Sequence, residues 1–357
     1  MSDLGSKPAE PPSTLVIPVK TESRSRRSRA RLVFALKLIA GTSLVAFLVW
    51  HFDLRSTFKL IRQERPTLFL ATVALYVAGQ AMSAFRWQLV AGLNGLGGRY
   101  SEYLAYYFIG MFANVFVPGL IGGDALRALY LGRRHRQIGQ AFGSVMADRG
   151  IGLLALFWLA AMAALWIDRV PLPTSVQHVA LLAGGISLLG YLAAPLIAKW
   201  VSRAEHFNRV LAPILPYLCR PLALAPAIAL SVLLQVSLAA CQGLLALGLG
   251  LHIALTTFVL VVPITNVIAS LPVTINGLGM REAGYLLLLG MAGVSKEQAV
   301  ALSILYFAAT LVGGFTGVIA FIMTPMPNPA AGESQNPISA ERGTESRGQR
   351  RAAGILS

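Results

Sequence analysis

Apolar runs at 32–50, 67–91, 141–167, 176–200, 222–250 and 298–323 divide the chain, with polar residues gathered between them. Each run has roughly the 17–25 residues that carry a helix across a bilayer core. Two further apolar segments, 103–123 and 254–294, are interrupted by helix breakers and charges. The first reads from Asn114 through Pro118 and Gly122-Gly123-Asp124 to Arg127, and the second from Ser270 through Pro272 and Asn276-Gly277-Leu278-Gly279 to Arg281-Glu282. In both, the proline precedes the arginine by nine residues. Proline and paired glycines break helices. Broken, charged segments at matching places in two halves of a greasy chain point to a transporter-type binding site.

The basic residues decide how these segments are threaded. Were 103–123 a full span, the stretch with Arg127, Arg133, Arg134 and Arg136 would face outward, against the tendency of basic loops to stay cytoplasmic. A hairpin that enters and leaves on the cytoplasmic side removes the conflict, provided its irregular backbone is buried in protein or lines a wet cavity. Lys199, Arg203, Arg209 and Arg220 then also fall inside, and residues 254–294 form a second hairpin reached from the opposite face. The expectation is an all-α integral membrane protein, a polytopic helix bundle with six full spans plus two opposed re-entrant hairpins in an inverted repeat; eight full spans is the alternative. Residues 51–65 mix Arg55, Lys59, Arg62 and Arg65 with Phe52, Leu54, Phe58, Leu60 and Ile61, the pattern of an amphipathic surface helix that suits either headgroup layer.

Composition agrees. The chain has 357 residues, 55% of them hydrophobic and 13% charged, with a mean hydropathy of +0.65, whereas soluble domains carry about 25% charged residues. The formal charge of +15 lies mostly at span ends, where anionic lipid accounts for it, so no nucleic-acid partner is expected. Residues 1–30 and 325–357 read as disordered tails, the first a basic cytoplasmic one, around a membrane domain at 31–324. No cleavable signal peptide is visible, so the first span reads as an uncleaved anchor with both termini cytoplasmic. Cys219 and Cys241 have no metal or disulfide spacing and read as small core residues. Neither a nucleotide loop nor a metalloprotease or hydrolase motif occurs, so no cofactor, metal or catalytic residue is expected.

The charged residues in apolar sequence are the candidates for a site. Asp124 and Arg127 are spaced to share one helix face. Asp124 suits an N-cap and Arg127 an interfacial anchor, or the arginine and a helix N-terminus together hold a phosphate. Asp148 and Arg149 sit within a span, where ionisable groups face the bundle interior; a salt bridge to Arg127 or Arg281 and a place in a substrate path both fit. Arg281 and Glu282 open the return arm of the second hairpin, after glycines that allow a tight turn. Arg86-Trp87 reads as an interface anchor, and Asn114 and Asn266 as helix–helix contacts. The substrate-binding candidates are therefore Arg127, Arg281, Asp124, Asp148, Arg149 and Glu282, and the hairpin-forming ones are Pro118, Gly122, Gly123, Pro272, Asn276, Gly277 and Gly279.

In order, Arg86-Trp87, Val117-Pro118 through Gly122-Gly123-Asp124 to Arg127, Asp148-Arg149 with Gly152-Leu153-Leu154, and Leu271-Pro272 through Asn276-Gly277-Leu278-Gly279 to Arg281-Glu282 resemble the flippase-like domain family, named for the transmembrane region of lysylphosphatidylglycerol synthases. The resemblance covers about residues 30–325. It implies a multi-pass protein of the bacterial inner membrane that handles lipids, in some relatives moving a charged phospholipid between leaflets. Asp148-Arg149 stands where many relatives have Glu-Arg, which keeps the carboxylate. With no aminoacyl-transferase domain after residue 323, a stand-alone member is expected and lysyl transfer is not. The partners implied are membrane lipids (an anionic or zwitterionic phospholipid or an isoprenoid-type lipid) and lipid-biosynthesis enzymes. A lipid or polyprenyl-sugar modifying enzyme, and a non-transporting subunit of a lipid pathway such as that of the hopanoids, are the other readings.

The threading makes a prediction. Single cysteines introduced between 130 and 136 and near 252 should react with an impermeant maleimide from opposite faces of the membrane; reaction from one face would refute the opposed hairpins.

Overall fold

The computed structural model describes residues 61–62, 64–116, 121–166, 173–203, 211–270 and 279–327. The expected span at 32–50, nearly all of the surface helix at 51–65, most of both tails, and Pro118, Pro272, Asn276 and Gly277 lie outside them. Among the described residues the fold is all helix: α1 Pro66–Gly92, α2 Tyr100–Phe116, α3 Ile121–His135, α4 Ile138–Trp166, α5 Thr174–Val201, α6 Leu215–Cys219, α7 Ala225–Gly248, α8 Leu255–Ser270, α9 Met280–Met291, α10 Lys296–Phe315 and α11 Gly317–Met323. Five stretches are long and apolar enough to cross a membrane, at Pro66–Gly92, Ile138–Leu165, Thr174–Val201, Pro221–Gly248 and Lys296–Met323. They coincide with five of the six runs read from the sequence. The chain is an all-α polytopic membrane protein.

Local chemistry sets several boundaries. Pro66 occupies the first turn of α1, where its missing N–H costs no helical bond, and Arg65 before it is extended. Ser295 and Gln298 cap α10 reciprocally, each side chain bonding the other's backbone N–H. Gly279 adopts φ 82°, in the left-handed region that favours glycine, and its N–H donates to the Glu282 carboxylate at the start of α9.

Side-chain contacts fix the directions. Along α1 and α7, Gly248 meets Glu64, Gly79 meets Leu234, and Arg86 bonds Ser231, so the two helices are antiparallel neighbours. One end of the bundle therefore holds residues 93–99, where Asn94 donates to the Pro213 carbonyl, and the other holds residue 64. Helices α2 and α3 form a hairpin: Arg134 bridges Glu102 at its open end, and Gly110 abuts Gly123 at depth. The open end sits with residues 93–99, since the Tyr103 hydroxyl donates to the Leu96 carbonyl. Helices α8 and α9 form the second hairpin, with Thr265 against Gly284 and, at its mouth, Leu255 and Phe258 against Gly243 near the far end of α7. The hairpins enter from opposite ends.

The first hairpin is longer than its apolar segment suggests. Arg127, Arg133 and Arg134 belong to α3, a continuous helix to His135, rather than to a loop after the hairpin. A basic arm survives here because Arg127, the deepest of these residues, is buried among protein groups, while Arg134 at the open end is exposed and paired with Glu102. The Cys219 reading also changes, for Cys241 is buried but Cys219 is exposed.

Gly123 makes a tight joint between the two arms. A Cβ there would stand 2.1 Å from the Gly110 carbonyl oxygen and 2.6 Å from Asn114 Oδ1, which accepts the Gly123 N–H at 2.9 Å. Asn114 thus joins the two arms, as its place in apolar sequence suggests. Gly123→Ala should force the arms apart and destabilise the protein by about 1–3 kcal/mol, seen as a lowered melting temperature in detergent. Gly139→Ala, whose Cβ meets nothing within 4 Å, should not lower it.

Candidate functional site

The α2–α3 hairpin carries Asp124 and Arg127 inward on adjacent turns of α3, and α4 brings Asp148 and Arg149 to meet them. Arg127 donates to Asp124 at 2.7 Å and stands 3.6 Å from Asp148. Arg149 donates to the other Asp124 oxygen at 2.7 Å. From α1, Arg86 donates to Asp148 at 2.8 Å and to the Ser231 hydroxyl of α7, also at 2.8 Å. The result is an alternating ladder, Ser231–Arg86–Asp148–Arg127–Asp124–Arg149, built from four helices.

Burial makes the ladder energetically exacting. Arg86, Asp124, Arg127 and Asp148 are at most 6% exposed, whereas the Arg149 side chain is 39% exposed and forms the open end. An isolated charge in this setting would be prohibitive, and alternation of sign is what makes the five tolerable. Three arginines against two aspartates leave a net charge of one positive. The Arg127 guanidinium also lies over the rings of Trp87 at 5.0 Å and Tyr107 at 4.5 Å, which adds cation–π attraction. Trp87 is itself anchored by its indole N–H on the Ser144 hydroxyl at 3.1 Å.

The second hairpin presents a smaller charged group. Arg281 lies over the Tyr306 ring at 5.4 Å, and its Nε has no hydrogen-bond partner among the described residues. Glu282 accepts from the Gly279 N–H and from the Ser303 hydroxyl, the latter at 3.0 Å. Tyr76 of α1 is within electrostatic range of Tyr107, Tyr306 and Arg281. Each hairpin arginine thus lies over a tyrosine ring, Arg127 over Tyr107 and Arg281 over Tyr306.

The structure sorts the sequence candidates. Asp124, Arg127, Asp148 and Arg149 come together; Arg281 and Glu282 form a separate group, and the bridge to Asp148 comes from Arg127 and not from Arg281. Asp124 sits in the first turn of α3 with its carboxylate given to arginines. Gly123 and Gly279 are the glycines whose geometry is demanding; Gly122 is half-buried beside the first. Arg86 and Trp87 are not an interface anchor. Both are buried, Trp87 completely, because Arg86 supplies the counter-charge of Asp148. Arg86, Ser231, Tyr107, Ser303 and Tyr306 escaped the sequence reading. For Arg86 a signal existed: it lies six residues inside the end of α1, and Asp148 in an apolar span demands a cation from elsewhere.

A family model described as the lysylphosphatidylglycerol synthase TM region matches residues 33–317. No curated protein and no solved structure matches the chain.

Asp148→Asn leaves Arg86 buried without its carboxylate and should destabilise the fold by about 3–5 kcal/mol, whereas Arg149→Gln, at a half-exposed pair, should cost about 1 kcal/mol or less. Removing both members of the inner pair, as in Arg86→Met with Asp148→Leu, should recover part of the loss. Melting curves of the detergent-solubilised variants measure all three.

Proposed function

Because the chain belongs to the lysylphosphatidylglycerol synthase TM-region family, and so to proteins of membrane lipid handling, we propose that it is a lipid translocase that moves a charged or phosphate-bearing lipid between leaflets. One observation carries the reading: two hairpins enter from opposite ends of the bundle, and each carries an arginine over a tyrosine ring, Arg127 over Tyr107 and Arg281 over Tyr306. A headgroup between the hairpins meets Arg127 and Arg281, while its tails stay in the bilayer. Charge-assisted bonds from guanidinium groups suit phosphate oxygens. Asp124 and Asp148 hold Arg127 in place while the site is empty, and the Tyr306 ring supports Arg281. Exposure alternates as one half rocks against the other, the usual consequence of inverted repeats around a central site.

The end that carries Arg99, Arg133, Arg134, Arg136, Lys199 and Arg203 is assigned to the cytoplasm on the positive-inside rule. The first hairpin then opens to the cytoplasm and the second to the opposite face of a bacterial inner membrane, with both termini cytoplasmic. Lipid-biosynthesis enzymes are the natural partners on the side where substrate is made.

Proteoliposomes test the reading. Wild-type protein should accelerate the transbilayer movement of fluorescent phospholipids, and Arg127→Ala and Arg281→Ala should abolish the headgroup-dependent part while both variants still insert. Wild-type rates from the double variant would remove the arginines from the mechanism. Covalent turnover of a labelled lipid donor by the purified protein would instead favour an enzyme.

A further inference from the structure

Two glutamines lie inside the spanning helix α7 with buried amide atoms left over. Gln242 is completely buried, and neither its carbonyl oxygen nor its amide nitrogen has a hydrogen-bond partner among the described residues. Gln235 is 6% exposed, and its carbonyl oxygen has no partner among them either. A buried amide atom without a hydrogen bond costs stability. Glue between helices, the ordinary role of such a residue in a membrane, would leave no such atom unpaired. Polar groups kept at this depth against their cost mark pathways.

Their placement is specific. Successive residues of an α-helix turn by about 100°, so Ser231, Gln235 and Gln242 fall within about 40° of one another on one face of α7. Ser231 shows where that face points, since its hydroxyl accepts from Arg86 of the ladder. Leu238 is the apolar member of the stripe, and Leu233, on the opposite side of the helix, is 55% exposed. Depth follows from the packing on α1. Gln235 adjoins Leu234, which meets Gly79 at the middle of α1. Gln242 adjoins Cys241, whose thiol donates to the Thr72 carbonyl at 3.8 Å, and Gly243, which meets Leu255 and Phe258 at the mouth of the second hairpin. The stripe therefore runs roughly 16 Å along the helix, from the depth of the ladder to that of the second hairpin. The hairpin meets it with groups of the same kind. Thr265 and Tyr285 are fully buried, and neither hydroxyl has a partner among the described residues. Tyr285 shares one buried cluster with Cys241 and Leu245, which flank Gln242 in α7.

We propose that this inner face of α7, Ser231, Gln235 and Gln242, is the path by which the polar part of a headgroup and its water cross the middle of the bundle. The proposal rests on the translocation reading and adds the route between the ladder and the second hairpin. A neutral amide both donates and accepts, so it serves phosphate oxygens, hydroxyls and ammonium groups alike. It also forms no ion pair that would hold a headgroup halfway. In the arrangement described, α7 is packed against α1, α4, α8 and α10 and the amides are shut in. They find their partners when the halves part and a headgroup passes.

Full-length protein in proteoliposomes tests the route, with fluorescent phosphatidylglycerol as the probe and a melting curve for each variant. Gln235→Leu and Gln242→Leu should each slow transbilayer movement about tenfold, the equivalent of one lost hydrogen bond. Their melting temperatures should hold or rise, because an unpaired amide gives way to an apolar group of similar size. Gln242→Asn, which keeps an amide, should retain more movement than Gln242→Leu. Wild-type movement in both leucine variants would overturn the path. So would lost movement with a lowered melting temperature, the mark of a structural amide. Water access is read separately. In a Cys241→Ala background, Gln235→Cys and Gln242→Cys should react with methanethiosulfonate ethylammonium, detected as added peptide mass, and Leu233→Cys on the lipid side should not. Unreactive thiols at both inner positions would overturn the path. Their reaction in a protein that moves no lipid would keep a wet path and defeat translocation.

Discussion

Asp148 is the constraint on which the bundle turns. A carboxylate at this depth, 1% exposed, is tolerable only if cations are delivered to it from other helices. Arg86 comes from α1 and Arg127 from α3, so satisfying one aspartate docks a full span and a hairpin against α4. Arg127 then needs Asp124, and Asp124 accepts Arg149, which returns the ladder to α4 one residue beyond its start. Hydrophobic burial alone gives little orientation among helices whose outer faces prefer lipid to water or protein alike. Paired charges supply it, because each must sit within bonding distance of a particular partner.

The hairpin geometry serves the same end. Gly110 and Gly123 let the arms of the first hairpin touch backbone to backbone, and that proximity aims Arg127 at Asp148 instead of at the neighbouring lipid. In the second hairpin, the left-handed Gly279 and the Glu282 contact to its N–H set where α9 begins and hence where Arg281 points. Two small local devices thereby position the arginine of each hairpin.

Much of this was legible in the sequence. Spans are readable because lipid contact imposes a run of apolar residues. The glycines are read only in part: Gly279 takes the left-handed turn before α9, whereas Gly122 and Gly123 continue α3 in its first turn, where Gly123 serves close approach to Gly110, and Pro118 and Pro272 lie outside the described residues. Asp148 was legible as a functional or structural centre because ionised groups are rare at that depth. Its partner was not, since hydropathy reports the surroundings of a segment and is silent on which distant residue it meets. Arg86 therefore looked like the last polar residue of a span. The length of α3 was hidden for a related reason: charges that signal a loop in a lipid-facing segment signal nothing of the kind once the helix is shielded by α2 and α4.

Arg127 stands 2.7 Å from Asp124 and 3.6 Å from Asp148, a close partner and a second within easy reach. One aspartate rides on the same helix and the other on a neighbour, so the guanidinium can be handed from one to the other without ever being left bare. One guanidinium therefore belongs to two helices at once, and any movement of the hairpin against α4 must trade one carboxylate against the other.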